Sequence, residues 1–248
     1  MKISLITATW NSEATISDTM SSVLCQDYQD VEYIVVDGAS TDSTVDLIKA
    51  QGSLVDCFVS EKDQGIYDAL NKGIGLATGD VIGFMHSDDV FAHKHVLSRV
   101  ALAFQDEAVD SVYGDLEYVS KNNLDSVVRL WKSGEYFKTK LKHGWMPPHP
   151  TFYMKRSCYE SFGRFNLNYR IAADYDSMLR YLWKNNVSTK YIPEVMVKMR
   201  VGGESNRSLS NIINKTKEDA QVMMVNGIPV IRALVGKNIS KIPQFIFK

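Results

Sequence analysis

Cysteine is scarce. The three in 248 residues, Cys25, Cys57 and Cys158, are odd in number and widely spaced, and none sits in a CxxC pair, which argues against a disulfide framework and a zinc site. A reducing compartment fits that usage. Long hydrophobic runs are missing too: no stretch approaches the ~18 apolar residues of a membrane span, and the apolar start is too short for a secretory leader. A cytoplasmic protein is therefore expected, touching a membrane only from its inner face. Neither sign of charge is in excess, since Lys+Arg 28 against Asp+Glu 29 leaves a formal net charge of -1. Nucleic acid is not expected as a partner, and any anion site must be local. Finally, Ala8-Thr9-Trp10-Asn11-Ser12, after the first apolar run, holds no glycine. Dehydrogenases and sugar nucleotidyltransferases place a glycine-rich phosphate loop there. The glycines Gly73, Gly75 and Gly79 follow a helix instead of opening one.

What is present is α/β patterning. With 45% hydrophobic residues the chain can bury one sizeable core, so one domain over residues 1–225 plus a tail at 226–248 is expected. Residues 3–7 read as a strand, and Asn11 or Ser12 is placed to cap a helix carrying Ile16, Met20, Val23 and Leu24 on one stripe. Residues 31–36 form a continuous apolar run ending at Asp37-Gly38, as a strand buried on both faces would, and Ser40-Thr41-Asp42 opens a second helix. A strand at 54–59, a helix at 66–77 and a strand at 81–85 continue the alternation. Four strands alternating with three helices predict a parallel sheet with right-handed crossovers, whose ligands bind at the carboxyl ends of the strands.

The second half is less regular. Strands are expected near 111–118, 149–154 and 195–201, and helices at 174–184 and 209–225. Tyr175, Met178, Leu179 and Leu182 stand at i, i+3, i+4 and i+7, the stripe of an amphipathic helix. Residues 132–148 show no periodicity and read as a long loop, a common form for lids and binding loops.

Carboxylates follow three successive strands: Asp37, then Asp63, then Asp88-Asp89 in His86-Ser87-Asp88-Asp89. Singly, each also reads as turn or helix-cap chemistry. Together they converge on one sheet edge, where a cation or hydrogen-bond donors must offset their repulsion. Asp88 and Asp89 suit Mn²⁺ or Mg²⁺ bound with a diphosphate, since such an ion needs only one or two protein carboxylates.

Thr7-Ala8-Thr9-Trp10-Asn11, Val35-Val36-Asp37-Gly38-Ala39-Ser40-Thr41-Asp42, Ser60-Glu61-Lys62-Asp63-Gln64-Gly65, His86-Ser87-Asp88-Asp89 and Ile171-Ala172-Ala173-Asp174-Tyr175-Asp176 stand in order. With these motifs the chain resembles family 2 inverting glycosyltransferases of the GT-A fold over roughly residues 1–205. The resemblance implies a Rossmann-like, mostly parallel sheet flanked by helices. It implies a nucleotide-sugar-binding half at 1–110, an acceptor half at 111–225 and a helical tail. On the donor side it points to Thr7, Thr9, Asn11, Asp37, Asp63, Lys72 and Asp88, with Asp37 at the base, Asp88 at the ribose and Asp89, with Asp88, at the metal. His86 departs from the Asp or Asn common at that position.

The reaction implied is transfer from a nucleotide-diphosphate sugar, UDP favoured, to a hydroxyl of a glycan or lipid-linked acceptor in bacterial surface-polysaccharide assembly. Inversion needs a general base, for which Asp174 matches the family motif; Asp176, an acceptor-side candidate two residues along, has Arg180 at i+4 for a weak, partly solvated pairing. Trp145 and His149 flank Pro147-Pro148 and either contact the acceptor or pack ordinarily. The segment from Gly202 to Arg207 reads as a mobile loop near the diphosphate or as a plain turn. No acid follows Asp219, and Arg232, Lys237, Lys241 and Lys248 interleave with apolar residues, which suits an anionic membrane surface or packing on protein. Oligomeric state stays open. The rivals are a non-catalytic nucleotide-sugar-binding protein and a sugar nucleotidyltransferase.

Overall fold

The structure, a computed structural model, describes residues 1–202 and 209–239, with side chains of the second stretch from 213 to 237. The first half runs β1 (Ile3–Thr9), α1 (Ile16–Leu24), β2 (Val31–Asp37), α2 (Thr44–Ala50), β3 (Cys57–Ser60), α3 (Ile66–Leu76) and β4 (Val81–Phe84). Then follow β5 (Val90–Phe91), α4 (Val96–Ala103), β6 (Ser111–Ser120), β7 (Asn123–Trp131), β8 (Tyr153–Lys155), α5 (Arg156–Phe162), α6 (Ala173–Met178), β9 (Thr189–Arg200), α7 (Leu209–Val225) and α8 (Val230–Ile239).

All the strands join one sheet in the order β3-β2-β1-β4-β8-β6-β9-β5, with β7 added on β6. β3, β2, β1 and β4 are mutually parallel, as the alternation predicts. In the second half β8 runs antiparallel to β4 and β6, while β9 is parallel to β6.

Side-chain alternation along the strands splits the core in two. Ile6, Ala8, Ile34 and Val36 point to one face, covered by α3 and, further along, α5, α6 and α7. Ile3, Leu5, Tyr33 and Val35 point to the other, under α1 and α4. Both faces are thus dry, which is why these strands read as continuous apolar runs.

Several expected details differ. Neither Asn11 nor Ser12 caps α1; the helix begins after Thr15. Asn11 instead takes a left-handed backbone with φ of 48°. Its side chain accepts from the Thr41 amide at 2.9 Å, and its own amide donates to Ser40 Oγ at 2.8 Å. α2 opens at Thr44, one turn later than read, and Asp42 accepts from the Thr44 amide at 3.0 Å. The stretch at 132–148 is not all loop: Lys138–His143 forms a 3-10 helix. The expected strand at 149–154 shrinks to β8, behind a 3-10 turn at His149–Thr151. Past Met178 the expected α-helix widens into a π-helical turn, Leu179–Lys184.

α8 packs on that 3-10 helix: Ala233 is buried against Gly144, Gly236 against His143, and Lys237 pairs with Asp219 of α7 at 2.8 Å. Most of the expected loop from Gly202 to Arg207, and Lys241 and Lys248, lie outside the described residues.

Candidate active site

The carboxyl ends of β1, β2, β3 and β4 form one rim, and the register sets Thr9, Asp37 and Ser60 side by side on it. Asp37 is fully buried. Its carboxylate accepts from Ser40 Oγ at 2.5 Å, the Ser40 amide at 3.0 Å and Ser60 Oγ at 2.6 Å, so it ties the loop after β2 to the end of β3. Asp63 stands over Gly38, where a Cβ would lie 2.6 Å from its Oδ2, so a side chain there would displace the Asp63 carboxylate. Lys72, on α3, donates to the Lys62 carbonyl at 3.0 Å and pairs with Glu61 at 2.8 Å, which raises its pKa and braces the same loop. Ala39, also left-handed with φ of 60°, places strain in this loop.

After β4, Asp88 is half-buried and Asp89 is 1% exposed. Arg200, at the end of β9, holds their turn: Nη1 donates to the Asp88 carbonyl at 2.6 Å, Nη2 to Asp18 at 2.5 Å, and its amide to Asp89 Oδ1 at 3.3 Å. Asp89 Oδ2 is buried without a hydrogen-bond partner, as is the Thr9 hydroxyl. Burial, and then the charge of Asp88, push the Asp89 carboxyl well above the usual range.

Asp174 enters from the opposite side, in the first turn of α6. The free amides before that helix are taken up by Glu218 of α7, which accepts from Arg170, Ile171 and Ala172 at 3.1, 2.8 and 2.9 Å. Asp174, at the second helical position, takes up a first-turn amide itself. Its Oδ1 accepts from the Tyr175 amide at 2.7 Å and from the Tyr67 hydroxyl at 3.3 Å. Its Oδ2 faces His149 Nδ1 at 3.3 Å, and His149 Nε2 meets His86 Nε2 at 3.0 Å. Burial and then His149 push His86 down to about 3, while Asp174 pulls the other way. Burial first raises the pKa of Tyr118 on β6, Arg129 stacked at 3.9 Å opposes, and the charges of Asp89 and Asp174 both raise it.

A family model described as glycosyl transferase family 2 matches residues 4–162. The chain belongs to this family. A PGL/p-HBAD biosynthesis glycosyltransferase of Mycobacterium bovis is 32% identical over 208 residues, covering 82% of this chain and 78% of that protein. An uncharacterised glycosyltransferase of Mycobacterium tuberculosis is 30% identical over 181 residues, covering 72% and 68%. Among solved structures, TarS 1–349 of S. aureus in complex with UDP-GlcNAc superposes with a TM-score of 0.72 at 19% identity, over 99% of this chain and 72% of that one. The mannosyltransferase PcManGT of Pyrobaculum calidifontis, in complex with GDP-Man and Mn²⁺, gives 0.67 at 17% identity, over 99% and 72%. A longer TarS chain is covered over 43% of its length. At these identities the likeness is one of fold, and the fold is GT-A.

A family 2 glycosyltransferase of this fold invites a divalent cation, and the residues present fit one. Among the described residues no three His, Cys, Asp or Glu side chains surround a common point. A Mn²⁺ or Mg²⁺ ion sharing a diphosphate needs fewer, and the orphaned, buried Asp89 Oδ2 beside Asp88 is a carboxylate oxygen in want of a positive partner.

Of the residues read from the sequence, Thr9, Asp37, Asp63, Asp88 and Asp89 share the rim, and His149 and Asp174 face it. Thr7 does not reach it: it lies two residues before the strand end, fully buried, and its hydroxyl meets Tyr33 OH at 3.0 Å. Trp145 packs edge-on to Tyr113 at 5.8 Å. Asp176 is 6% exposed and bound to Arg180 at 3.3 Å. Sequence reasoning missed Ser60, Tyr67, Tyr118 and Glu218 and left Arg200 unremarked, although an arginine ending an apolar strand was a signal.

Proposed function

We propose that this glycosyltransferase moves a sugar from a nucleotide-diphosphate donor, UDP-sugar favoured, to a hydroxyl of a glycan or lipid-linked acceptor with inversion. The observation that carries the reading is geometric: His86, two residues before Asp88, meets His149 at 3.0 Å, and His149 faces Asp174 at 3.3 Å, which brings Asp174 to the rim that carries Asp88 and Asp89. TarS in complex with UDP-GlcNAc, and PcManGT with GDP-Man and Mn²⁺, support a nucleotide-sugar and a divalent cation here.

In this reading the nucleoside lies along the loops that Asp37, Asn11 and Lys72 brace, with Asp63 at its edge. Asp88 and Asp89 hold Mn²⁺ or Mg²⁺, which when bound supplies positive charge to the departing diphosphate. Asp174 takes the acceptor's hydroxyl proton: the O–H bond breaks, the oxygen bonds the anomeric carbon, and the diphosphate leaves with the electron pair of the glycosidic bond. Peripheral contact with an anionic inner membrane face belongs to the same proposal. α8 exposes Ile231 at 83% and Val235 at 52%, beside Arg232, which meets His143 at 3.1 Å, and the cations Lys138, Lys140 and Lys142.

The test is incubation with a panel of nucleotide-sugars and Mn²⁺. Acceptor-dependent release of nucleoside diphosphate is expected. Release of pyrophosphate would mark a nucleotidyltransferase, and binding without turnover a non-catalytic protein.

A further inference from the structure

The line His86–His149–Asp174 leaves one imidazole with no task in the transfer reaction itself. We propose that His149 is a positioning residue that holds Asp174 Oδ2 through Nδ1 while His86 fixes the imidazole from behind. This rests on reading Asp174 as the base.

Three observations carry it. The first is the mount. His149 lies in Pro147-Pro148-His149-Pro150, and proline fixes φ on either side of it. Thr151 anchors the turn, its hydroxyl donating to the Pro148 carbonyl at 2.9 Å and accepting from the Gly114 amide at 3.2 Å. The prolines that made this stretch look like a loop are a rigid support.

The second is the tautomer. Two imidazoles meeting Nε2 to Nε2 at 3.0 Å can share only one proton between those atoms. Were His86 protonated at Nδ1, that buried position would hold an N–H with no acceptor, the costlier kind of orphan. The proton therefore belongs on His86 Nε2, donated to His149 Nε2. The proton of His149 is then on Nδ1, facing the carboxylate.

The third is the two-sided hold on Asp174. Oδ1 accepts from the Tyr175 amide at 2.7 Å and lies 3.3 Å from the Tyr67 hydroxyl, which also donates to the Ile171 carbonyl at 2.9 Å, and Oδ2 lies 3.3 Å from His149 Nδ1. The separation of 3.3 Å puts His149 Nδ1 within ion-pair range of Oδ2. The titratable groups facing this pair are Tyr67 from α3, His86 after β4, Tyr118 from β6, and Lys215 and Glu218 from α7. In the transfer, the acceptor's proton ends on Asp174 and His149 keeps its own.

The experiment compares His149→Ala, His149→Asn and Asp174→Asn with the wild type. It measures kcat, acceptor KM and donor affinity, with circular dichroism as a check of folding. His149→Ala should lower kcat roughly 10- to 100-fold, as loss of an orienting partner does, with donor affinity and acceptor KM near wild type. His149→Asn, whose amide nitrogen can occupy the Nδ1 position, should recover most of kcat. Equal loss in both His149 variants, or a loss confined to acceptor KM, overturns the inference. If Asp174→Asn itself turns over normally, the base reading fails. If Asp174→Asn is inactive while His149→Ala is normal, this inference fails alone.

Discussion

Asp174 and Asp176 stand two residues apart and do different work. Asp174 is half-buried and faces His149, whereas Asp176 is buried at the root of Arg180, whose Nη atoms also reach the carbonyls of Phe162 at 2.6 Å and Arg164 at 2.7 Å. Asp176→Asn should therefore lower Tm, costing roughly 1–3 kcal/mol, while leaving kcat of the folded protein near wild type; thermal melts and single-turnover rates check this. A weakly paired, solvated Asp176 was the expectation from i, i+4 spacing alone; its burial was not visible there. At the rim, excess EDTA should abolish turnover and Mn²⁺ or Mg²⁺ restore it. Asp88→Asn should raise the metal concentration needed for half-maximal rate, and full turnover in EDTA would contradict the cation role. The rim carboxylates were legible because each directly follows a strand. The contact of His86 with His149 was not, because it spans 63 residues and appears only once β8 lies beside β4.

Elements were legible in proportion to their burial. β1, β2 and β4 are dry on both faces, so their apolar runs announced them; β7 alternates exposed and half-buried residues on the sheet margin and went unread. The 3-10 helix Lys138–His143 buries only Leu141, too little to print a period. α8 shows how a tail reading changes once the packing is known. Its buried Ala233 and its Lys237–Asp219 pair dock it on the domain, so truncation would test stability and membrane contact together. Surface changes separate them: Ile231→Asp with Arg232→Ala and Lys142→Ala should weaken binding to anionic vesicles roughly 30-fold, at about 1 kcal/mol per cation. Turnover on a soluble acceptor should be kept. Unchanged vesicle binding would remove the membrane role.

For the whole molecule, the first-half sheet is held at its amino edge by Glu32. Burial alone would raise its pKa, but donors from Ser4 at 2.5 Å, the Thr78 amide at 2.8 Å and Lys2 at 3.1 Å overcome this and hold it at about 2. Because the folded value lies below the unfolded one, this stability is complete above about pH 5 and is lost as pH falls towards 2. Glu32→Gln should thus lower stability at pH 7 by roughly 1–3 kcal/mol and flatten the acid limb of the stability curve; parallel limbs in denaturant titrations would contradict it. Among the described residues no helix is long and apolar enough to cross a membrane. The α/β class, the four parallel strands and the family were all legible, because all three depend on patterns local to each motif. The partner of each site residue depends on how the two halves close, which no local pattern carries. The central claim, sugar transfer with Asp174 as base, is tested most directly by nucleoside diphosphate release in the presence of Mn²⁺ and acceptor, wild type against Asp174→Asn, with donor affinity measured on both. The variant should bind donor as the wild type does and transfer roughly 10²–10⁴-fold more slowly; an Asp174→Asn protein that turns over at the wild-type rate would contradict the account.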